Sequence, residues 1–175
     1  MDVAEVYLEL FGRIPPLVRE VVDGLEVDDL LHRVAPEANP IGWLLWHLTR
    51  VQDDHVADVM GVGQVWALGR WAASFGLESD SWDGYRNIGY GHDADDVARV
   101  RPVSTEAIVA YHDAVDVRTR EYLARLSAAE LDRIVDDRWD PPVTLGVRLV
   151  SVADDSLQHL GQAAYVKGLL LARRS

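Results

Sequence analysis

Apolar residues return at three- and four-residue spacing in four long windows, and this period most constrains the fold. The first window runs from about Val3 to Val22 through Val6, Leu10, Ile14, Leu17, Val18 and Val21. Pro15 and Pro16 interrupt it, so it kinks there or restarts with proline in its first turn, and Gly24 is expected to end it. The second begins at Asn39, suited to capping, and Pro40, suited to the first helical position, and stops at Gly61. The third spans Ser104 to Leu126, and the fourth about Leu145 to Leu171, after Asp140-Pro141-Pro142. Short helices are expected at Val27–Arg33 and after the capping-box spacing Ser127-Ala128-Ala129-Glu130. Val143–Val152 is β-branched enough for a strand, yet its apolar run continues unbroken into the fourth window. Four amphipathic helices, with a long crossover over Val65–Pro102 and little strand signal, predict an all-α four-helix bundle, one domain over residues 1–175.

Composition removes several function classes. There is no cysteine, so disulfides, cysteine nucleophiles and thiolate-held metals are excluded, and any ion must be held by His, Asp, Glu or water. The net charge of −12 argues against nucleic acid and anionic membrane as partners. No stretch approaches the ~20 apolar residues of a membrane span, and the N-terminus has no signal-peptide core. The expectation is a soluble, cytoplasmic protein. Basic residues are sixteen arginines and the single Lys167, a bias typical of a high-GC genome.

Two of the windows carry a histidine in a polar seam beside the apolar face. With about 100° of turn per residue, Asp155, His159 and Gln162 fall along one edge of the fourth window's core stripe. Asp155 and His159 are an i, i+4 pair whose side chains can converge. On the second window His47, Val51, Asp54 and Asp58 lie at the edge of the stripe. If the two helices pack together, His47, Asp155 and His159 can hold one divalent ion. Two imidazoles and a carboxylate leave positions open for water or substrate, as in catalytic sites. Gln162 is placed to hydrogen-bond a ligand from behind.

The bland reading is an ordinary helix-surface Asp–His pair. His55 competes as a ligand, since it falls nearer the middle of the second window's stripe. It is about 12 Å along the axis from His47, too far to share an ion easily. His112 reads as core and His32 as surface. The crossover is rich in Trp, Gly, Ser and Asp, and long loops of this kind are often functional. Within it His92, in Gly89-Tyr90-Gly91-His92, can face a pocket. Trp43 beside His47 and Trp139 before the fourth window are candidate pocket walls. No phosphate-binding Gly-rich loop, nucleophile elbow or His-Glu-x-x-His pair is present.

At these residues the chain resembles the DinB-like family. The segment Ala38-Asn39-Pro40-Ile41-Gly42-Trp43-Leu44-Leu45-Trp46-His47-Leu48 is similar to its second-helix histidine motif. Asp155-x-x-x-His159-x-Gly161-Gln162 resembles its fourth-helix motif, which usually has histidine where Asp155 stands and arginine where Leu160 stands. The resemblance implies a bundle of up-down-down-up order and a divalent ion (Zn, Ni, Fe or Mn) on His47, Asp155 and His159. A carboxylate at position 155 is similar to the mycothiol-dependent maleylpyruvate isomerase branch, which has the longer glutamate there. That branch implies a metal-dependent S-transferase or isomerase acting on a small electrophile with a thiol such as mycothiol, and the family resemblance implies pairing into homodimers through bundle faces. Two other readings stay open: a non-catalytic bundle that binds a ligand or partner, and a metal-dependent hydrolase.

Overall fold

The computed structural model of the chain describes residues 1–78, 82 and 84–174, the Tyr85 side chain excepted. The first window forms α1 (Val3–Gly12) and α2 (Ile14–Val22). Asp2 and Glu5 close a capping box at the start of α1, and the break at Arg13 is a restart, with Pro15 and Pro16 in the first turn of α2. Helix α3 (Val27–Leu31) is short. Helix α4 (Ile41–Met60) carries the second window. Its N-cap is Pro40, one residue later than the sequence suggests, and Asn39 makes no cap. Gly61, in the left-handed region, closes it with its N–H on the Ala57 carbonyl.

The crossover is not structureless. It folds into α5 (Val65–Gly69), 3₁₀ turns at Trp71–Phe75 and Gly84–Ile88, and α6 (Ala94–Arg99). Helices α7 (Thr105–Leu123) and α8 (Leu145–Ala172) complete the bundle, capped by the hydroxyls of Ser104 and Thr144. Between them, β1 (Ile134–Asp136) and β2 (Val143–Thr144) pair antiparallel, with a bulge in the register. The β-branched start of the fourth window is therefore split. Two residues join the sheet and the rest wind into α8, whose helical period lets Leu145, Leu149, Val152 and Leu160 reach the core.

Helix α4 is the central element and packs on both α7 and α8. It runs antiparallel to α8, since His47 meets Asp155 while His55 meets Arg148. Every residue from Ile41 to Asp53 is buried, so the first three turns have no solvent face. The pattern predicts an exposed edge here, with His47 on it. The crossover removes that edge by laying Trp66, Trp82 and Ile88 over it. Polar groups pin the crossover down. Asp53 accepts from the backbone N–H groups of Val65 (2.8 Å) and Trp66 (2.7 Å) and from the Tyr111 hydroxyl (2.9 Å). Arg50 donates to the Asn87 carbonyl (3.2 Å) and its side-chain oxygen (3.1 Å), with its guanidinium over the Trp66 ring. Buried charges of this kind persist only when paired, and here they fix the loop that reaches the site. No described helix is long and apolar enough to cross a membrane.

Candidate metal centre

Three potential ligand atoms, from His47, Asp155 and His159, lie within 4.8 Å of one another. His47 comes from the second turn of α4, the other two from the middle of α8. The imidazole Nε2 atoms stand 3.9 Å (His47) and 3.5 Å (His159) from Asp155 Oδ1. Ligands about 2.1 Å from a tetrahedral ion stand ~3.4 Å apart, so small side-chain shifts close the triad on an ion. Among the described residues it is the one such group of three.

The partners behind the ligands decide which nitrogen is free. His47 Nδ1 hydrogen-bonds the Ile88 carbonyl, which can only accept, so the proton is on Nδ1 and the Nε2 lone pair faces Asp155. His159 Nδ1 donates to Gln162 Oε1 at 2.9 Å, with the same consequence. Such backing bonds orient ligating imidazoles. Asp155 Oδ2 is buried and has no hydrogen-bond partner. A carboxylate oxygen left bare beside two inward lone pairs is costly unless a cation joins it. The donor set therefore fits a divalent ion.

Electrostatics separate the two histidines. Burial is the main reason His47 is pushed down to about 4, only partly offset by the Asp155 carboxylate, so it is a neutral ligand at ordinary pH. Burial also works against His159 cations, but Asp155 and Gln162 outweigh it and raise its pKa above the ordinary value.

The wall is aromatic. Trp43 stacks on the His47 ring with centroids 4.6 Å apart and meets His159 edge-on at 6.3 Å. Tyr90 meets His47 edge-on at 5.5 Å. Gly89, at φ +106°, passes so close that a Cβ would lie 2.5 Å from His47 Nδ1 and 3.0 Å from Trp43. Only glycine lets the loop deliver the Ile88 carbonyl there.

Not every predicted residue joins the group. His92 packs behind it, accepting from Trp43 Nε1 at Nδ1 (3.1 Å) and donating from Nε2 to the Arg86 carbonyl (2.8 Å). Both nitrogens are used, so it braces Trp43 and has no lone pair for an ion. His55 lies two turns along α4, where its Nδ1 accepts from Arg148 Nη1 at 2.9 Å. Trp139 is 62% exposed on the loop between β1 and β2. That loop precedes α8, and Asp155 lies ten residues beyond the helix start, about 15 Å away along the axis. Trp139 therefore does not wall the triad.

Residues missed from the sequence are Ile88, Gly89 and the Arg50–Asn87 grip. The Gly-Tyr-Gly-His run signalled a special loop, but a carbonyl acceptor leaves no trace in residue type.

No curated protein matches the sequence. A crystal structure described as a conserved protein of Enterococcus faecalis is similar, with a TM-score of 0.87 at 27% identity, covering 98% of this chain and 99% of that one. The DinB superfamily model matches residues 10–163, and the chain belongs to that superfamily.

Proposed function

We propose that the chain is a divalent-metal-dependent enzyme, with His47, Asp155 and His159 as its ligands. The observation that carries this reading is the convergence of two Nε2 lone pairs on a carboxylate whose other oxygen is buried without a partner. Zn, Ni, Fe and Mn all suit two imidazoles and a carboxylate. An ion held there supplies Lewis acidity, lowering the pKa of a bound water or thiol toward neutrality.

The reaction we assign is transfer or isomerisation of a small electrophile by an external low-molecular-weight thiol of the mycothiol type. The chain has no cysteine, so a sulfur nucleophile has to come with the co-substrate. Supporting the thiol class is the carboxylate at position 155, where the resembling isomerase branch has glutamate. The protein's own residues orient and exclude water. Ile88 and Gln162 hold the imidazoles in the ligating tautomer, and Trp43 and Tyr90 give the site an apolar wall.

Metal analysis of purified protein tests the first part, with about one ion per chain expected after growth in metal-supplemented medium. Protein that stays metal-free and takes up none on titration would sink it. Turnover of a reactive electrophile with and without added thiol tests the second. Loss of the electrophile at equal rate without thiol assigns hydrolysis instead. Stoichiometric metal with no turnover of either kind favours the ligand-binding bundle.

A further inference from the structure

A second cleft lies on the same pair of helices as the candidate metal centre. It is a pocket of about 350 Å³ between α4, α8 and the Gly84–Ile88 turn, and every described side chain on its wall is polar. One turn of chain serves both places: the Ile88 carbonyl backs His47, and its neighbour Asn87 lines the pocket. His55, also on the wall, is eight residues along α4 from His47, about 12 Å.

The full charges here are largely spent on one another. Arg148 donates to Asp136 at 3.3 Å and to Asp58 at 3.5 Å, and Arg138 closes on Asp136 at 2.7 Å. What is left over is a mixed set of hydrogen-bonding atoms. Arg148 can only donate, so His55 Nδ1 accepts from it and the imidazole proton sits on Nε2. Arg50 fixes Asn87 likewise: the side-chain oxygen accepts from the guanidinium at 3.1 Å, which leaves the amide N–H pair over. Gln64 donates its amide to Asp54 at 2.6 Å and keeps its own oxygen spare. Asp58 is engaged through Oδ2 alone. Two donor groups, His55 Nε2 and Asn87 Nδ2, and two acceptors, Gln64 Oε1 and Asp58 Oδ1, therefore meet no partner among the described residues. Exposed amides ordinarily turn freely, but His55, Asn87 and Gln64 are each pinned from behind by a charged group. The set is preorganised, which lowers the entropy lost when a ligand binds.

The signs on the wall select the ligand. An anion would face Asp54 and Asp58, and a cation would face Arg138 and Arg148. A hydroxyl donates and accepts at once, so neighbouring hydroxyls satisfy the spare donors and acceptors without bringing a charge. We propose that this pocket holds a neutral, hydroxyl-rich part of the ligand whose reacting end sits at His47, Asp155 and His159. The link to the triad rests on the metal reading above; the chemistry of the pocket does not.

Three sugars of one ring size test it on the metal-stripped full chain, read by saturation-transfer NMR: neutral glucose, anionic glucuronate and cationic glucosamine. Glucose is expected to bind best. Asn87→Asp keeps an oxygen for Arg50 but removes both amide donors, and Asp58→Ala removes a carboxylate that is 60% exposed, so both variants should fold with helical circular dichroism unchanged. Each should weaken glucose about tenfold, the loss of one or two hydrogen bonds. Manganese titrated into the same samples separates this proposal from the metal reading. Ion held at the triad should broaden the glucose resonances, since the two ends of the cleft are close enough for its unpaired spins to act. Glucose binding that responds to the variants, in a chain that takes up no ion, breaks the metal reading and leaves the pocket standing. Failure of glucose to bind at tens of millimolar, equal binding by both variants, or tighter binding of either charged sugar would overturn the pocket. Uptake of manganese without broadening of bound glucose would overturn its link to the triad.

Discussion

Two histidine–carboxylate clusters lie on the same pair of helices, about two turns apart, and only one of them invites an ion. At His47 the groups that face one another are two imidazole lone pairs and a carboxylate with a bare, buried oxygen. At His55 the centre is already filled. Arg148 donates to His55 Nδ1 at 2.9 Å, to Asp136 at 3.3 Å and to Asp58 at 3.5 Å, and Arg138 closes on Asp136 at 2.7 Å. The second cluster brings its own cation, covalently attached, and the first does not. A histidine and carboxylates across a helix pair therefore do not identify a metal site. What stands between them does.

Removing a ligand should break the comparison most completely. His47→Ala or His159→Ala is expected to abolish metal uptake, weakening affinity by on the order of 10³-fold, while His55→Ala binds about one ion per chain like wild type. Isothermal titration of the metal-stripped proteins reads both. Equal loss in His55→Ala would erase the distinction. The converse substitution attacks the filled cluster. Arg148→Met leaves the Asp136 carboxylate to Arg138 alone and strips the donor from His55 Nδ1, and urea unfolding should show a lowered midpoint with metal stoichiometry unchanged.

The difference between the clusters was only half legible in the sequence. Helical period alone gave the four windows, their order and an interruption at Pro15-Pro16, which the structure resolves as a restart, because burying an apolar stripe is a local requirement. Asp155 and His159 are four residues apart on one helix, so their convergence was also local. His47 was harder. It looked like an edge residue, and the crossover that buries it acts through Asp53 and Arg50, charged residues in a helix that the pattern reads as half exposed. Arg148 gave no signal as the partner of His55, since that contact depends on the antiparallel register of α4 and α8. Trp139 was read from its position before the fourth window, and the structure leaves it exposed on the loop between β1 and β2.

Acid should separate the clusters next. Burial first, and the Arg148 cation second, hold His55 at about 4, against the pull of Asp54, Asp58, Asp136 and Asp155. A histidine depressed from 6.5 in the unfolded chain takes up protons there before it does so in the fold. Its contribution is complete above pH 6.5 and is lost as pH falls through 6.5 toward 4. The loss is about 2 kcal/mol, after allowance for the solvent that still reaches the ring. His55→Gln should flatten the stability curve of metal-stripped protein across that window. A curve as steep as wild type would mean that the buried His47 and His112, also near 4, carry the acid response without His55.

The smallest effect expected is at Gln162, and it tests how far the open cluster depends on its backing bonds. The two imidazoles are braced differently. His47 is held by the Ile88 carbonyl inside a loop clamped by Arg50, whereas His159 relies on one exposed amide at 2.9 Å. Gln162→Ala removes that acceptor without disturbing any buried group. His159 keeps Asp155 beside it but loses the partner that fixes its tautomer, so the Nε2 lone pair faces the ion only part of the time. Metal affinity should fall about tenfold, at the low end for a lost backing bond, with stoichiometry and unfolding midpoint of the stripped protein unchanged. Gln162→Glu should restore the affinity, because a carboxylate accepts the same hydrogen bond more strongly. If Gln162→Ala binds like wild type while Gly89→Ala, which displaces the Ile88 carbonyl, loses the ion, then the rigid side of the site alone sets its affinity.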